Sequence, residues 1–181
     1  CLEEPEYAVL SSSSRHKYMT ERITRISLRS VSILTEHLCA GKFAVKDAEI
    51  SFSSVDNFDA FTFKLTDDDI MNITGKIDRL DTYEDSENGR VYIKVIDYKS
   101  GDKSLNLVEV YRGISLQLVV YMNAAMELCG RMPEYAGKDM IPAGILYYHI
   151  DDPIVEGERE ESEEEIKRRI FKEFKMKGLV N

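Results

Sequence analysis

The segment VYIKVIDYKSG alternates apolar and other side chains, and then places an acid and a base where further apolar side chains are expected. Because alternate side chains of a strand face opposite ways, the apolar face that begins at Val91 continues into Asp97 and Lys99. An acid and a base at the edge of a hydrophobic core are partly desolvated, and each changes the pKa of the other. This pattern is typical either of a surface ion pair at a strand end or of a catalytic site.

A second strand, GKIDRLDTY, precedes this one, and Asn88 and Gly89 between them are a strong hairpin signal. The hairpin is expected to bring Asp78 into the neighbourhood of Asp97. Two carboxylates that converge without a cation repel each other, and carboxylate oxygens suit Mg²⁺ or Mn²⁺. Lys99 is then suited to orient or activate a water molecule, or to stabilise charge on a phosphate.

Gln117 and Tyr121 stand four residues apart in a segment rich in Leu, Val and Met, and therefore share one face of a predicted helix. Polar side chains in such a helix need hydrogen-bond partners, and a site beside the strand ends would supply them. Each of these residues alone is also compatible with an ordinary helix face, and Asp81 is interpreted as a solvated strand residue. The whole set favours a functional site.

The predicted elements follow one another as helix, strands, helix, strand and helix, which predicts an α/β domain with a mixed sheet. We interpret the chain as a single domain over residues 1–181, with its core at about 43–151. The acidic run 156–165 is interpreted as a solvated linker and helix N-terminus. The predicted helices cover about residues 15–40, 108–128 and 160–177, and the predicted strands cover residues 48–53, 60–65, 72–83, 90–100 and 143–150.

The formal net charge of −9 over 181 residues argues against a protein that binds DNA over its whole surface. The basic side of the first helix is compatible with a solvated face or with DNA contact. No apolar run approaches the roughly 18 residues that span a bilayer. Four basic residues near the motifs are expected to form a local DNA-binding rim: Lys76, Arg79, Lys103 and Arg112.

Three motifs, GKIDR, VIDYKSG and YRGISLQLVVY, resemble those of the RecB-type PD-(D/E)XK nucleases. More closely, the chain resembles the C-terminal nuclease domain of AddB-type subunits of bacterial AddAB helicase/nucleases. The stretches SSSSRHKYMTERITRI, GKFAVKDAEISF, AGILYYHIDDP and EFKMKGLV share this similarity, so the resemblance covers nearly the whole chain.

The resemblance implies a restriction-endonuclease-like core with a mixed central sheet flanked by helices. It implies that Asp78, Asp97 and the main-chain carbonyl of Tyr98 bind Mg²⁺ or Mn²⁺, and that Lys99 is the catalytic lysine. Gln117 and Tyr121 match the Gln-x-x-x-Tyr motif that lies beside the active site in this family. Glu49 matches a further glutamate of the family pattern, for which a structural role is open.

The function implied by the resemblance is a metal-dependent DNA exonuclease domain that acts in double-strand break repair and recombination. The domain would hydrolyse phosphodiester bonds of unwound DNA in an ATP-dependent complex with an AddA-like subunit in the cytoplasm. Two alternatives stay open at this point. One is a catalytically silent nuclease-like module that binds DNA or docks on a partner, and the other is a standalone CRISPR-associated exonuclease similar to Cas4.

Two features of the family have no counterpart in this sequence. RecB-type nucleases use an upstream histidine ligand, and His16, His37 and His149 do not stand in a matching context. AddB-type subunits also carry four cysteines for an iron-sulfur cluster, whereas this chain has three cysteines with no Cys-x-x-Cys pair. We therefore expect the cluster and the rest of the ligand set in a full-length subunit, and weak metal binding with little nuclease activity in this chain alone. Cysteine usage also predicts a reducing setting without disulfides.

Overall fold

The structure of the chain is a computed structural model that describes residues 12–52, 62–64, 70–101, 104–150, 162–174 and 176–181. Its helices are α1 (Ser14–Cys39), α2 (Leu107–Tyr111), α3 (Gln117–Gly130) and α4 (Glu163–Glu173). Its strands are β1 (Ala44–Phe52), β2 (Thr62–Lys64), β3 (Ile70–Asn72), β4 (Gly75–Asp85), β5 (Arg90–Lys99), β6 (Asp139–His149) and β7 (Lys177–Val180).

Two compact units are found among these residues. One contains residues 12–41, 150 and 162–174, and the other contains residues 42–52, 62–64, 70–101, 104–149 and 176–181. The single domain expected over residues 1–181 stays a prediction.

The larger unit is built on a mixed sheet. Among the described residues, its five strands stand in the order β1-β4-β5-β6-β7. The β5–β6 pair is parallel and the other three pairs are antiparallel. Parallel strands need a crossover connection, and α2 and α3 provide it between β5 and β6. The predicted α/β class with a mixed sheet is confirmed.

The β4–β5 hairpin has the turn that the sequence predicted. Gly89 takes a positive φ of 63°, a conformation in which a glycine meets no steric resistance. The Asn88 amide donates to the Asp85 carboxylate at 2.8 Å, which closes the turn from the side. The register follows from this turn and pairs Thr82 with Ile93 and Arg79 with Ile96.

Helix α3 covers the sheet with a continuous apolar face. Leu118, Met122, Ala125 and Cys129 are buried at helical spacing. They join a hydrophobic core with the inward side chains of β5 and β6. This packing places the first turn of α3 beside the ends of β4 and β5.

The predicted second helix over 108–128 is wrong as one element, because α2 ends at Tyr111 and α3 begins only at Gln117. Gly113 lies between them with a positive φ of 74°, which breaks the helical path. The last helix also ends earlier than predicted, and residues 177–180 form β7 instead. A strand of four residues carries too weak a local pattern to be recognised, since its pairing with β6 is a long-range contact.

Proline stands inside a central strand because β6 contains an irregularity. Ile93 pairs with Pro142 and Lys94 pairs with Gly144, so Ala143 is an extra residue in the β5–β6 ladder. Such a bulge accommodates a residue that has no N–H to donate.

None of the helices in the described part of the chain is long and apolar enough to cross a lipid bilayer.

Candidate active site

Asp78 and Asp97 lie on neighbouring strands at the same end of the hairpin. The register ends with Arg79 opposite Ile96, and Asp78 and Asp97 are the next residues of the two strands. The Tyr98 main-chain N–H donates to Asp78 Oδ2 at 2.8 Å, which orients that carboxylate. The structure therefore brings together the two acids that the hairpin was expected to juxtapose.

Asp97 and Lys99 form a largely buried ion pair. The Asp97 residue is 1% exposed, and Lys99 Nζ lies 2.6 Å from its Oδ2. Burial alone would lower the pKa of Lys99, but its hydrogen bond to Asp97 and the charges of Asp97 and Asp78 outweigh burial and raise that pKa. Lys99 therefore keeps its positive charge at neutral pH.

Gln117 connects the first turn of α3 to the strand ends. Its Nε2 donates to Asp97 Oδ1 at 3.1 Å and to the Tyr121 hydroxyl at 3.0 Å. The Tyr121 ring in turn packs edge-on against Phe52, with ring centroids 5.8 Å apart. Gln117 and Tyr121 thus both find partners at the site, and Asp97 is held from two sides.

The donor chemistry of this site fits a hard cation. Asp78 and Asp97 supply carboxylate oxygens, and within the described residues no third His, Cys, Asp or Glu joins them in a cluster able to hold a metal ion. Mg²⁺ is commonly held by one or two carboxylates while it keeps water and substrate phosphate as its other ligands. Two acids without nitrogen or sulfur ligands therefore suit Mg²⁺ or Mn²⁺ and do not suit zinc.

The family model of the PD-(D/E)XK nuclease superfamily matches residues 2–177. The chain belongs to this superfamily. Its mixed sheet with flanking helices is the restriction-endonuclease-like α/β architecture that the resemblance implied.

Curated relatives extend the comparison to longer proteins. The B subunit of an ATP-dependent helicase/deoxyribonuclease from Bacillus pumilus is 39% identical over 172 residues, which are 95% of this chain and 14% of that protein. Proteins of the same name from Thermoanaerobacter sp. and Clostridium botulinum are 36% and 35% identical, over 95% and 99% of this chain. The chain spans 14% to 15% of the length of these relatives.

Glu49 lies across from Asp78 in the β1–β4 register and takes an unusual backbone conformation. Its φ is 60°, a left-handed conformation that is uncommon for a residue with a side chain. The flanking pairs join Ala48 to Arg79 and Ile50 to Ile77. The Glu49 carboxylate forms an exposed ion pair with Lys76, and its role stays a prediction.

The four residues expected to form a DNA-binding rim occupy different environments. Lys76 is exposed and paired with Glu49, and Arg112 is exposed just after α2. Lys103 lies outside the described residues. Arg79 is only 5% exposed, so it does not stand on an accessible rim.

The interpretation of Asp81 as a solvated residue is wrong. Asp81 is fully buried, and Arg79 donates to both of its oxygens, from Nε at 2.7 Å and from Nη2 at 2.8 Å. Lys94 adds an ion pair at 2.9 Å from the neighbouring strand. Strand alternation in the sequence cannot reveal that both faces of β4 are covered, and the two basic partners supply the charge that burial of a carboxylate requires.

Tyr147 is a residue of the site that sequence reasoning missed. It pairs with Asp97 in the β5–β6 register, it is fully buried, and its ring centroid lies 5.9 Å from Lys99 Nζ. Burial and then the charge of Asp97 raise the pKa of Tyr147, while interactions with Ser115 and Lys99 oppose that shift. The apolar run GILYYHI predicts that Tyr147 is an ordinary core residue. Only the parallel pairing of β5 and β6 reveals that it lies beside Asp97.

Proposed function

We propose that this chain is a metal-dependent deoxyribonuclease domain that hydrolyses phosphodiester bonds of DNA. The observation that carries the proposal is the meeting of Asp78, Asp97 and Lys99 at one end of the β4–β5 hairpin, with Gln117 bonded to Asp97. Membership of a nuclease superfamily supports the same chemistry.

In this proposal Lys99 acts as a fixed positive charge. Its raised pKa means that it remains protonated at neutral pH, so it is suited to stabilise negative charge on the phosphate and to orient the attacking water. Asp97 holds the ammonium group at 2.6 Å and so fixes its direction.

Asp78, Asp97 and the Tyr98 carbonyl would hold Mg²⁺ or Mn²⁺. A bound divalent cation would supply Lewis-acid activation of water and of the scissile phosphate. Gln117 orients Asp97 through its hydrogen bond, and the Tyr98 N–H orients Asp78 in the same way. Residues around metal ligands act by such orientation.

We propose further that the chain works within a large helicase/deoxyribonuclease polypeptide, as the names of its relatives suggest. The substrate would be DNA unwound by an AddA-like partner in an ATP-dependent reaction in the cytoplasm. The process served would be double-strand break repair and recombination. An iron-sulfur cluster would belong to the full-length protein and to residues other than those of this site.

The test measures Mg²⁺- and Mn²⁺-dependent degradation of labelled single-stranded DNA by the full-length protein that carries this sequence. Asp97→Asn and Lys99→Met are expected to abolish degradation. Asp139→Asn is the matched control, because Asp139 is an exposed strand carboxylate that pairs with Arg90 at the opposite end of β5. It is expected to degrade DNA as the unmodified protein does.

Full activity of the Lys99→Met variant would overturn the site assignment. Loss of activity in the Asp139→Asn control would show that charge removal acts through folding, not through the site. Absence of degradation with either cation in the unmodified protein would favour a silent DNA-binding module.

A further inference from the structure

Behind the proposed site, on the other face of the hairpin, lies a buried group of three charges. The Arg79–Asp81–Lys94 cluster joins two residues of β4 to one of β5, and Asp81 stands opposite Lys94 in the register. Arg79 grips Asp81 with two hydrogen bonds at 2.7 and 2.8 Å, and Lys94 lies 2.9 Å from Asp81 Oδ2. Lys94 also stands over the Phe43 ring at 4.5 Å from its centroid. Each charge of the cluster is thus held in one geometry.

This cluster reaches the tyrosine that follows Asp97. Arg79 pairs with Ile96, so Tyr98 is its diagonal neighbour on the same face of the hairpin. The Arg79 side chain also interacts with the side chain of Tyr98, while its two hydrogen bonds are made to Asp81. The Tyr98 ring is packed edge-on against Tyr148 of β6, with centroids 5.8 Å apart. The side chain of Tyr98 therefore lies beside Arg79 of β4 and Tyr148 of β6.

The main chain of Tyr98 takes part in the site itself. Its N–H donates to Asp78 Oδ2, and its two neighbours in the chain, Asp97 and Lys99, point to the opposite face. Any rotation of Tyr98 about the strand axis would therefore move the Asp78 contact and the Asp97–Lys99 pair together. A contact that restrains the Tyr98 side chain on one face of the hairpin therefore also restrains Asp97 and Lys99 on the opposite face.

We propose that Arg79 is a positioning residue, which holds Tyr98 from the rear face of the hairpin and thereby sets the geometry of Asp78, Asp97 and Lys99. The inference rests on the proposed function of the site. It also explains why DRLD stands in the middle of a buried strand. Apolar residues would serve stability alone equally well, because buried ion pairs contribute little net stability compared with apolar side chains of similar volume.

The decisive variant is Tyr98→Phe, which removes only the hydroxyl, and with it the polar interaction with Arg79, and leaves the ring, the main chain and all three charges in place. Arg79→Lys is the second variant, because it keeps the positive charge and loses the bidentate hydrogen bonding to Asp81. Tyr92→Phe is the matched control, since Tyr92 lies on the same face of β5, six residues earlier, and stacks on Tyr83. Three quantities are measured in the full-length protein: Mn²⁺ affinity by electron paramagnetic resonance, kcat and KM for single-stranded DNA, and thermal unfolding.

We expect Tyr98→Phe and Arg79→Lys to weaken Mn²⁺ binding and to lower kcat by about 10-fold, as other changes behind metal ligands do. KM for DNA is expected to change less than about 2-fold, and Tyr92→Phe is expected to match the unmodified protein. A purely structural role would lower the unfolding temperature without changing Mn²⁺ affinity in the folded protein.

Unchanged Mn²⁺ affinity and kcat in Tyr98→Phe would overturn the proposal, whether or not Arg79→Lys folds. A raised KM with unchanged Mn²⁺ affinity in Arg79→Lys would also overturn it, and would identify Arg79 as a DNA contact. If the unmodified protein neither bound Mn²⁺ nor degraded DNA, the proposed function itself would fail. That result is distinguishable from an active unmodified protein in which the Tyr98→Phe and Arg79→Lys variants have no effect, which would refute only the role of Arg79.

Discussion

Gln117 Nε2 donates to Asp97 Oδ1 at 3.1 Å, so a helix side chain holds a strand carboxylate that also carries the Lys99 ion pair. Gln117 is the first residue of α3. The site therefore depends on where a helix begins as well as on where two strands end.

Replacing Gln117 is expected to lower DNA degradation without unfolding the protein. Gln117→Ala removes the bond that orients Asp97, and the loss is expected to be about 10- to 100-fold in kcat. Gln117→Glu should lose more, because it places a second negative charge against a buried carboxylate. Tyr121→Phe leaves the Asp97 bond intact and should lose less than either. Equal activity of Gln117→Glu and the unmodified protein would contradict the role of this hydrogen bond.

Gly75→Ala is expected to destabilise the fold and disturb the site. An added Cβ would lie 2.5 Å from Phe52 Cζ and 3.1 Å from Tyr121 Cε1, and the buried Phe52 ring would have to shift. Such overpacking costs about 1 to 3 kcal/mol of unfolding free energy. Gly130→Ala is the control, because its Cβ would lie 3.8 Å from Met140 Cγ, an ordinary van der Waals distance. Urea unfolding of the two variants measures the difference, and equal stabilities would refute the close contact.

The pH dependence of stability should contain a contribution from Cys129. Burial raises the pKa of this thiol to about 11, from an ordinary value of 9.0. Since the folded pKa lies above the unfolded one, the stabilisation is fully present below about pH 9 and is lost as the pH rises towards 11. A shift of about two units corresponds to about 3 kcal/mol.

The measurement compares the unfolding free energy of the unmodified chain and of Cys129→Ala at about pH 8 and about pH 10.5. The unmodified chain should lose more stability across this interval than Cys129→Ala does. If both lost the same amount, the thiol would not be buried as described.

Arg112→Met is expected to weaken binding of single-stranded DNA and to reduce the dependence of log affinity on log salt by about 1, as for one lost phosphate contact. Lys76→Met should have a smaller effect, because Lys76 already pairs with Glu49. Arg131→Met is the control, since Arg131 follows the opposite end of α3 and pairs with Glu127. Fluorescence anisotropy over a salt series gives each slope. Equal slopes for Arg112→Met and Arg131→Met would contradict a DNA contact by Arg112.

Much of the central hairpin could be predicted from local pattern. The alternation that ends in Asp97 and Lys99 has the period of a strand, and Asn88-Gly89 selects a tight turn. Once the turn is known, counting back along the other strand places Asp78 opposite Asp97. Sequence was sufficient here because the turn and its two strands are adjacent in the chain.

The error at Asp81 and Arg79 has a different origin. Charged residues in an alternating strand are ordinarily assigned to the solvated face, but in β4 both faces are covered. A buried carboxylate is stable only if bases from its own and a neighbouring strand reach it. That condition depends on the pairing of Asp81 with Lys94, which no local pattern expresses.

The sequence alone determined the β4–β5 hairpin, the face that carries Asp97 and Lys99, and the helix face of Gln117 and Tyr121, because each depends on residues within a few positions of one another. The tertiary structure decided that Tyr147 adjoins Asp97, that residues 177–180 complete the sheet, and that Arg79 turns away from solvent towards Asp81. These features depend on strand pairing and burial between segments that are distant in the chain. The corresponding interaction energies arise only in the folded structure, so no local sequence pattern expresses them.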